Sequence, residues 1–213
     1  MRRKASALLA MTGALALASA AFAAIIDGTP GDDRLRGTVE TDVIRALGGN
    51  DFVNARAGDD LIRVGSGDDV VQADNGDDLA YAGAGNDRLR GGNGRDTLWG
   101  DSGSDAVIGG DGPDELHGGS GPDQLQGGPG DDRIWVGQGT DIAYGGPGDD
   151  VLHALAADED PDRLDCGPGR DTAKVRRSER ATTRFSGCEV IVIIDLPSAE
   201  DEAAEADRDA DAE

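Results

Sequence analysis

From Gly28 to His153 the chain repeats a nine-residue unit fourteen times with no insertion or deletion. A period this short and this strict admits few folds: each unit must be one structural step, and the steps must stack. The sixth position is aspartate in every unit: Asp33, Asp42, Asp51, Asp60, Asp69, Asp78, Asp87, Asp96, Asp105, Asp114, Asp123, Asp132, Asp141 and Asp150. The eighth is always aliphatic, from Leu35 and Ile44 through to Ala143 and Leu152. The fourth is glycine except in the second unit, where Glu40 stands.

One unit has a simple physical reading. Positions one to six, rich in glycine, make a tight turn in which positive φ and close backbone approach are needed. Positions seven to nine make a three-residue strand whose middle side chain points inward. A single unit buries one aliphatic residue and cannot fold alone. Two units form a coil of 18 residues, and coils stack at the strand spacing of about 4.8 Å. Fourteen units make seven coils, a rod roughly 30–35 Å long. Beyond His153 the turn lengthens by three residues, Asp162-Arg163-Leu164-Asp165 restores the strand, and Cys166 to Lys174 is again a regular unit. The total is then sixteen units or eight coils. Composition alone points elsewhere: aromatics are 3% and the net charge is −23, values typical of chains that cannot bury a core. The repeat overrides that reading for most of the length.

Units such as Gly118-Gly119-Ser120-Gly121-Pro122-Asp123-Gln124-Leu125-Gln126 resemble the G-G-x-G-x-D-x-U-x nonapeptide of RTX proteins, the haemolysin-type calcium-binding repeats. The resemblance spans residues 28 to about 174. It implies an all-β fold, a right-handed parallel β-roll solenoid with two repeats per coil and about 7–8 coils, with calcium ions between successive turns on each side. The fourteen aspartates are then the candidate metal ligands.

Charge supports the same expectation. Odd and even units fall on opposite edges of the roll, so Asp33, Asp51 and Asp69 begin one column and Asp42, Asp60 and Asp78 the other. Carboxylates one coil apart repel by about 1 kcal/mol in water and by more in a partly dry turn. A hard cation with flexible oxygen coordination relieves this, which favours Ca2+ over the stricter, more strongly hydrated Mg2+. About 10–12 calcium ions would nearly neutralise the mature chain, so metal binding is expected to supply folding free energy. Sites touching the second unit are expected to be weak, because Glu40 and Thr41 replace its glycine and acidic or amide residue. The rival reading of the aspartates is turn capping without metal.

Position nine of the even units forms an outward stripe that includes Tyr81, Trp99, His117, Trp135 and His153. Two readings stay open: a platform for a cell-surface glycan, a cell-wall polymer or another roll, and simple self-stacking. At the amino end, Arg2, Arg3 and Lys4, the apolar run Ala5–Ala18 and Ala21-Phe22-Ala23 have the form of a signal peptide over residues 1–23. Cleavage is expected after Ala23, giving a secreted, extracellular chain. The alternative, a membrane anchor, suits this short Ala-rich run poorly, and no second stretch of spanning length follows. Residues 24–174 are read as the calcium-binding roll, and 175–196 as a C-terminal cap around the apolar run 189–194. Residues 197–213 are read as a disordered acidic tail. Export makes a Cys166–Cys188 disulfide the default.

Gly100-Asp101-Ser102-Gly103 resembles a serine-protease nucleophile sequence but falls in phase with the repeat, and neither a phosphate-binding loop nor an EF-hand spacing occurs. The chain is therefore not expected to be an enzyme. Its acidic balance argues against nucleic acid. The expected function is calcium binding, with a calcium-dependent adhesion or glycan-binding module as the alternative.

Overall fold

The computed structural model of the protein describes residues 23–156 and 160–195. Most of the signal-like segment, part of the lengthened turn and the acidic tail lie outside the described residues. No helix among the described residues is long and apolar enough to cross a membrane.

The strands alternate between two parallel sheets, one of ten strands and one of nine. Numbered in chain order, the odd strands run from β1 (Ile25–Asp27) to β19 (Val190–Ile194) in the larger sheet. The even strands run from β2 (Arg34–Arg36) to β18 (Arg184–Ser186) in the smaller. Register partners within the regular repeats lie 18 residues apart: Ile26 is level with Ile44, Ile44 with Ile62, and Leu35 with Val53. The fold is a parallel β-solenoid of about nine turns, and among the described residues the helical content is a 3-10 turn at Glu179–Ala181.

The core consists of stacked columns of side chains. Ile44, Ile62, Leu98, Leu116, Ile134 and Leu152 descend one sheet, and Val53, Leu89, Val107 and Leu125 the other, all buried. These are the eighth positions; β2 shows the exposed–buried–exposed pattern the unit demands, whereas in β9 (Thr97–Trp99), β11 (Glu115–His117) and β15 (Val151–Ala154) position nine is buried as well. The turns hold more core than the unit reading assigns to them. Ala46, Ala55, Val64, Ala73, Ala82 and Val136, all at position one, are also fully buried. In this part of the roll several strands run for six residues, such as Phe52–Ala57 and Leu61–Ser66, and carry two inward side chains each.

The ends extend the stack beyond the expected coils. Ala24–Asp27 is a rung: Ala24 N–H donates to Asp42 Oδ1 at 2.6 Å, and Ile26 is buried in the core. At the other end β18 and β19 add two more rungs, and Cys188 forms a disulfide with Cys166, which is buried at position one of the last regular unit. Val190, Ile191, Val192 and Ile193 remain 38–50% exposed on β19, which therefore continues the sheet without closing over it.

Candidate metal sites along the turns

Each turn is shaped by two left-handed positions. Position four is glycine at positive φ from Gly49 to Gly148, and a Cβ on Gly76 would overlap the carbonyl oxygen of Gly58 one coil below. Position two is at positive φ in every unit from the third to the fourteenth. It is mostly glycine, but Leu47, Arg56, Asp74 and Asp101 also adopt this conformation, with φ between 67° and 88°. A Cβ on Gly83 would likewise overlap Gly65 O, so turn carbonyls at positions two and four point along the stack into the next turn. Each edge of the roll is thus lined by backbone oxygen.

The aspartates stand in two columns against this lining. From Asp51 onward each position-six Oδ1 accepts a hydrogen bond from the N–H of the aspartate one coil below. Asp33 N donates to Asp51 at 2.7 Å, Asp51 N to Asp69 at 2.6 Å, and Asp87 N to Asp105 at 2.7 Å. The ladder crosses the lengthened turn, where Asp141 N reaches Asp162 and Asp150 N reaches Asp171. It ends on Glu189, whose carboxylate accepts from Asp171 N at 2.7 Å. Asp162, Asp171 and Glu189 therefore belong with the fourteen. The first two were visible as continuing units; Glu189 keeps the same phase, 18 residues after Asp171 with Gly187 at position four and Ile191 at position eight, but with glutamate in place of aspartate.

The second oxygen separates the aspartates into groups. From Asp51 to Asp132, and again at Asp150 and Asp171, Oδ2 is buried with no hydrogen-bond partner. It lies back over its own turn, close enough that a Cβ on Gly91 would overlap Asp96 Oδ2. In the first two units threonine at position two changes this. Thr29 N and Oγ1 both donate to Asp33 Oδ2, at 2.5 and 2.9 Å. Thr38 N donates to Asp42 Oδ2 at 2.5 Å, and its Oγ1 to Oδ1 at 3.1 Å.

Electrostatics follow the same division. Burial pushes Asp60, Asp78, Asp87, Asp96, Asp105, Asp123 and Asp132 up to about 7. It pushes Asp51, Asp69, Asp114 and Asp150 up to about 6. The donated N–H pulls each of these down, and for most of them neighbouring carboxylates, usually the next in the column, push up again. A desolvated carboxylate oxygen with no partner, in a row lined by carbonyls, is a poor place for a bare charge and a good one for a hard cation. Among the described residues no three His, Cys, Asp or Glu side chains converge as a metal cluster. A cation here would draw on one or two carboxylates and on turn carbonyls, a donor set that fits calcium and offers nothing to a soft metal.

Position five differs in direction. Its side chains are exposed and cap the turn above: Asp32 Oδ1 accepts from Asn50 N, Asn50 Oδ1 from Asp68 N, and Asp59 Oδ1 from Asp77 N. These oxygens serve the backbone, which is the capping role weighed for the aspartates generally.

The stripe residues come together as one column. Ring centroids are 6.3 Å apart for Tyr81–Trp99, 3.5 Å for Trp99–His117, and 4.6 Å for both His117–Trp135 and Trp135–His153, all stacked. Arg63 covers the free side of Tyr81 at 5.4 Å. Trp99, His117 and His153 are buried, and burial, with Lys174 next, holds His153 down to about 4. The faces a sugar would need are taken up by neighbouring rings, so the stripe is a self-stacked ladder and not an open platform.

Comparison with known proteins bears on the turns directly. Curated proteins provide no match to the sequence. The RTX calcium-binding nonapeptide repeat family matches in overlapping segments at residues 27–62, 55–89, 63–98, 81–116, 108–143, 117–152 and 137–173. That span covers most of the chain and coincides with the stacked turns, and the chain belongs to the RTX calcium-binding nonapeptide repeat family.

Proposed function

We propose that this is a secreted calcium-binding protein whose roll folds as ions enter between stacked turns. The observation that carries the reading is the row of buried Oδ2 atoms with no partner, running from Asp51 to Asp132 and resuming at Asp150 and Asp171. Each is desolvated and is held in place by an N–H on its other oxygen. Calcium supplies the positive charge that this arrangement lacks; the residues supply position. The Oδ1 ladder fixes each carboxylate, and glycines at positions two and four bring the turns close enough to share an ion. About ten to twelve such ions are expected for stacked pairs of turns. Asp33 and Asp42 are left out, because their threonines already satisfy them.

Folding on binding follows from the balance of terms. The core is two files of aliphatic side chains, thin for a chain of 213 residues, and the formal charge is −23. Such a chain is expected to stay unfolded where calcium is scarce and to fold after export, where calcium is plentiful. The signal-like segment before Ala24 supports this order of events.

A calcium titration followed by circular dichroism and calorimetry tests the reading. The expected result is a weak β signal in chelator and a cooperative rise to a folded state with several ions bound per chain. Full β signal in excess chelator at neutral pH, unchanged by calcium, would overturn it.

A further inference from the structure

The outward face of the nine-stranded sheet carries charge opposite to that of the chain. Its positions seven and nine include Arg34, Arg36, Arg88, Arg90, Arg163 and Arg184, all exposed, against one carboxylate, Asp165. None of the six guanidiniums makes an ion pair among the described residues; Arg34 rests on the Phe52 ring at 5.9 Å. The other sheet treats its cations differently: Arg45 pairs with Asp27 at 3.1 Å and Arg63 stacks on Tyr81.

Register places these arginines on a track. Arg34, Phe52, Val70 and Arg88 are consecutive partners in one column, and Arg36, Asn54, Gln72 and Arg90 run beside them. Two arginine pairs therefore sit three strands apart, about 14 Å at sheet spacing. Arg163 and Arg184, themselves adjacent, lie about 19 Å beyond Arg88 along the same axis. Between the stations the face presents amides and one further carboxylate, Asp74, which Asn54 engages at 2.9 Å while also donating to Gln72 at 3.2 Å; Gln124 and Gln126 are exposed.

We propose that this face binds a linear anionic polysaccharide lying along the roll axis. Paired guanidiniums recognise carboxylate or sulfate groups through forked hydrogen bonds, and side-chain amides between them suit sugar hydroxyls. The stations lie in a line, which fits an extended polyanion. Ile108 and Tyr144, 39% and 40% exposed, are too few to enter a bilayer. The inference leans on the calcium reading at one point: ions in the turns remove the field of the aspartate columns that would repel a polyanion.

The test uses the whole chain in saturating calcium. Dextran sulfate is the probe, with neutral dextran and phosphatidylglycerol vesicles as comparison ligands. The variant is Arg34→Gln/Arg36→Gln/Arg88→Gln/Arg90→Gln, and Arg45→Gln/Arg133→Gln on the other sheet is its control. The first is expected to weaken dextran sulfate binding by about tenfold or more, and the control to leave it within about twofold. Circular dichroism on the same samples reads folding. If the arginine variant fails to fold, replacing the same four residues by lysine tests the fork alone: charge is kept, and affinity is expected to fall. Equal binding by wild type and all folded variants, equal binding of neutral dextran, or binding of vesicles without dextran sulfate each overturns the proposal. A chain that shows no calcium-induced β signal defeats the calcium reading instead, and the comparison of variants still decides the face.

Discussion

At Thr29 and Thr38 the backbone N–H and the hydroxyl reach the aspartate carboxylate, Oδ2 included, of the same turn, whereas from the third unit onward position two swings to positive φ, and from Asp51 to Asp132 Oδ2 is left buried with no hydrogen-bond partner. That single conformational difference sorts the aspartates. Asp105→Asn keeps the Oδ1 that accepts from Asp87 N–H but removes the charge, so it should lower the calcium stoichiometry and raise the folding midpoint severalfold. Asp42→Asn should leave the stoichiometry unchanged, because Asp42 Oδ2 is already bonded to Thr38. Calorimetric ion counts that fall equally for both variants would contradict this sorting. Position two also stores strain. Leu47 holds φ at 83° with 54% of its surface exposed, so a glycine there loses little packing and relieves a left-handed conformation. Leu47→Gly is expected to stabilise the calcium-loaded roll by about 1 kcal/mol in denaturant unfolding, the net of relieved strain and added chain entropy. Gly76→Ala should do the reverse and cost about 3 kcal/mol or more, since its Cβ would meet Gly58 O and force the coils apart.

Strands and turns were legible to the extent that each element repeats one decisive residue. Position six and position eight carry the whole parallel register, and both can be read by counting. Position one could not be read this way, because Gly, Ala and Val all occur there and only the structure shows that Ala55 and Val64 point inward. The terminal rungs were hidden for a related reason. Ala24–Asp27 has no glycine and carries Ala24 where position six would hold aspartate, and Glu189 does an aspartate's work as a different residue type at the regular spacing of 18 from Asp171. The metal-ligand column was thus visible in outline, while the division between Oδ1 and Oδ2 depends on backbone angles that no residue count contains. The last elements depend on the disulfide. Cys166 is buried at position one and Cys188 follows β18, so the bond pins the rungs at which the regular repeat has run out. Closing a loop across a separation of 22 residues stabilises by about 3 kcal/mol on the chain-entropy model. Cys166→Ala/Cys188→Ala is expected to raise amide exchange in β16 (Arg163–Asp165), β18 and β19 while leaving the middle coils protected. Uniform loss of protection across all coils would show that the roll melts as one unit.

For the whole molecule the two aspartate columns set how pH and calcium act together. Eleven aspartates are pushed up to about 6 or 7 in the fold. In the unfolded chain the same groups titrate near 3.8. Between roughly pH 4 and 7 the metal-free fold therefore holds protons that the unfolded chain has released, and its stability falls as pH rises through that window. His153 works the other way, since its folded value near 4 lies below 6.5 and favours the fold as pH rises. One histidine against eleven carboxylates leaves the carboxylates in control. A proton and a calcium ion answer the same need at Oδ2, so they compete. Protein freed of metal by dialysis should show more β signal at pH 5 than at pH 8. The calcium concentration at the folding midpoint should fall as pH is lowered from 7.5 towards 5.5, because protons taken up by the folded carboxylates stabilise the same fold that calcium stabilises while the unfolded carboxylates stay ionised. Magnesium at equal concentration should shift neither curve by a comparable amount, given its demand for octahedral geometry and its retained water. Dichroism titrations in calcium and in magnesium across this pH range measure all three expectations, and a calcium midpoint independent of pH would show that the buried carboxylates take up no protons when the chain folds.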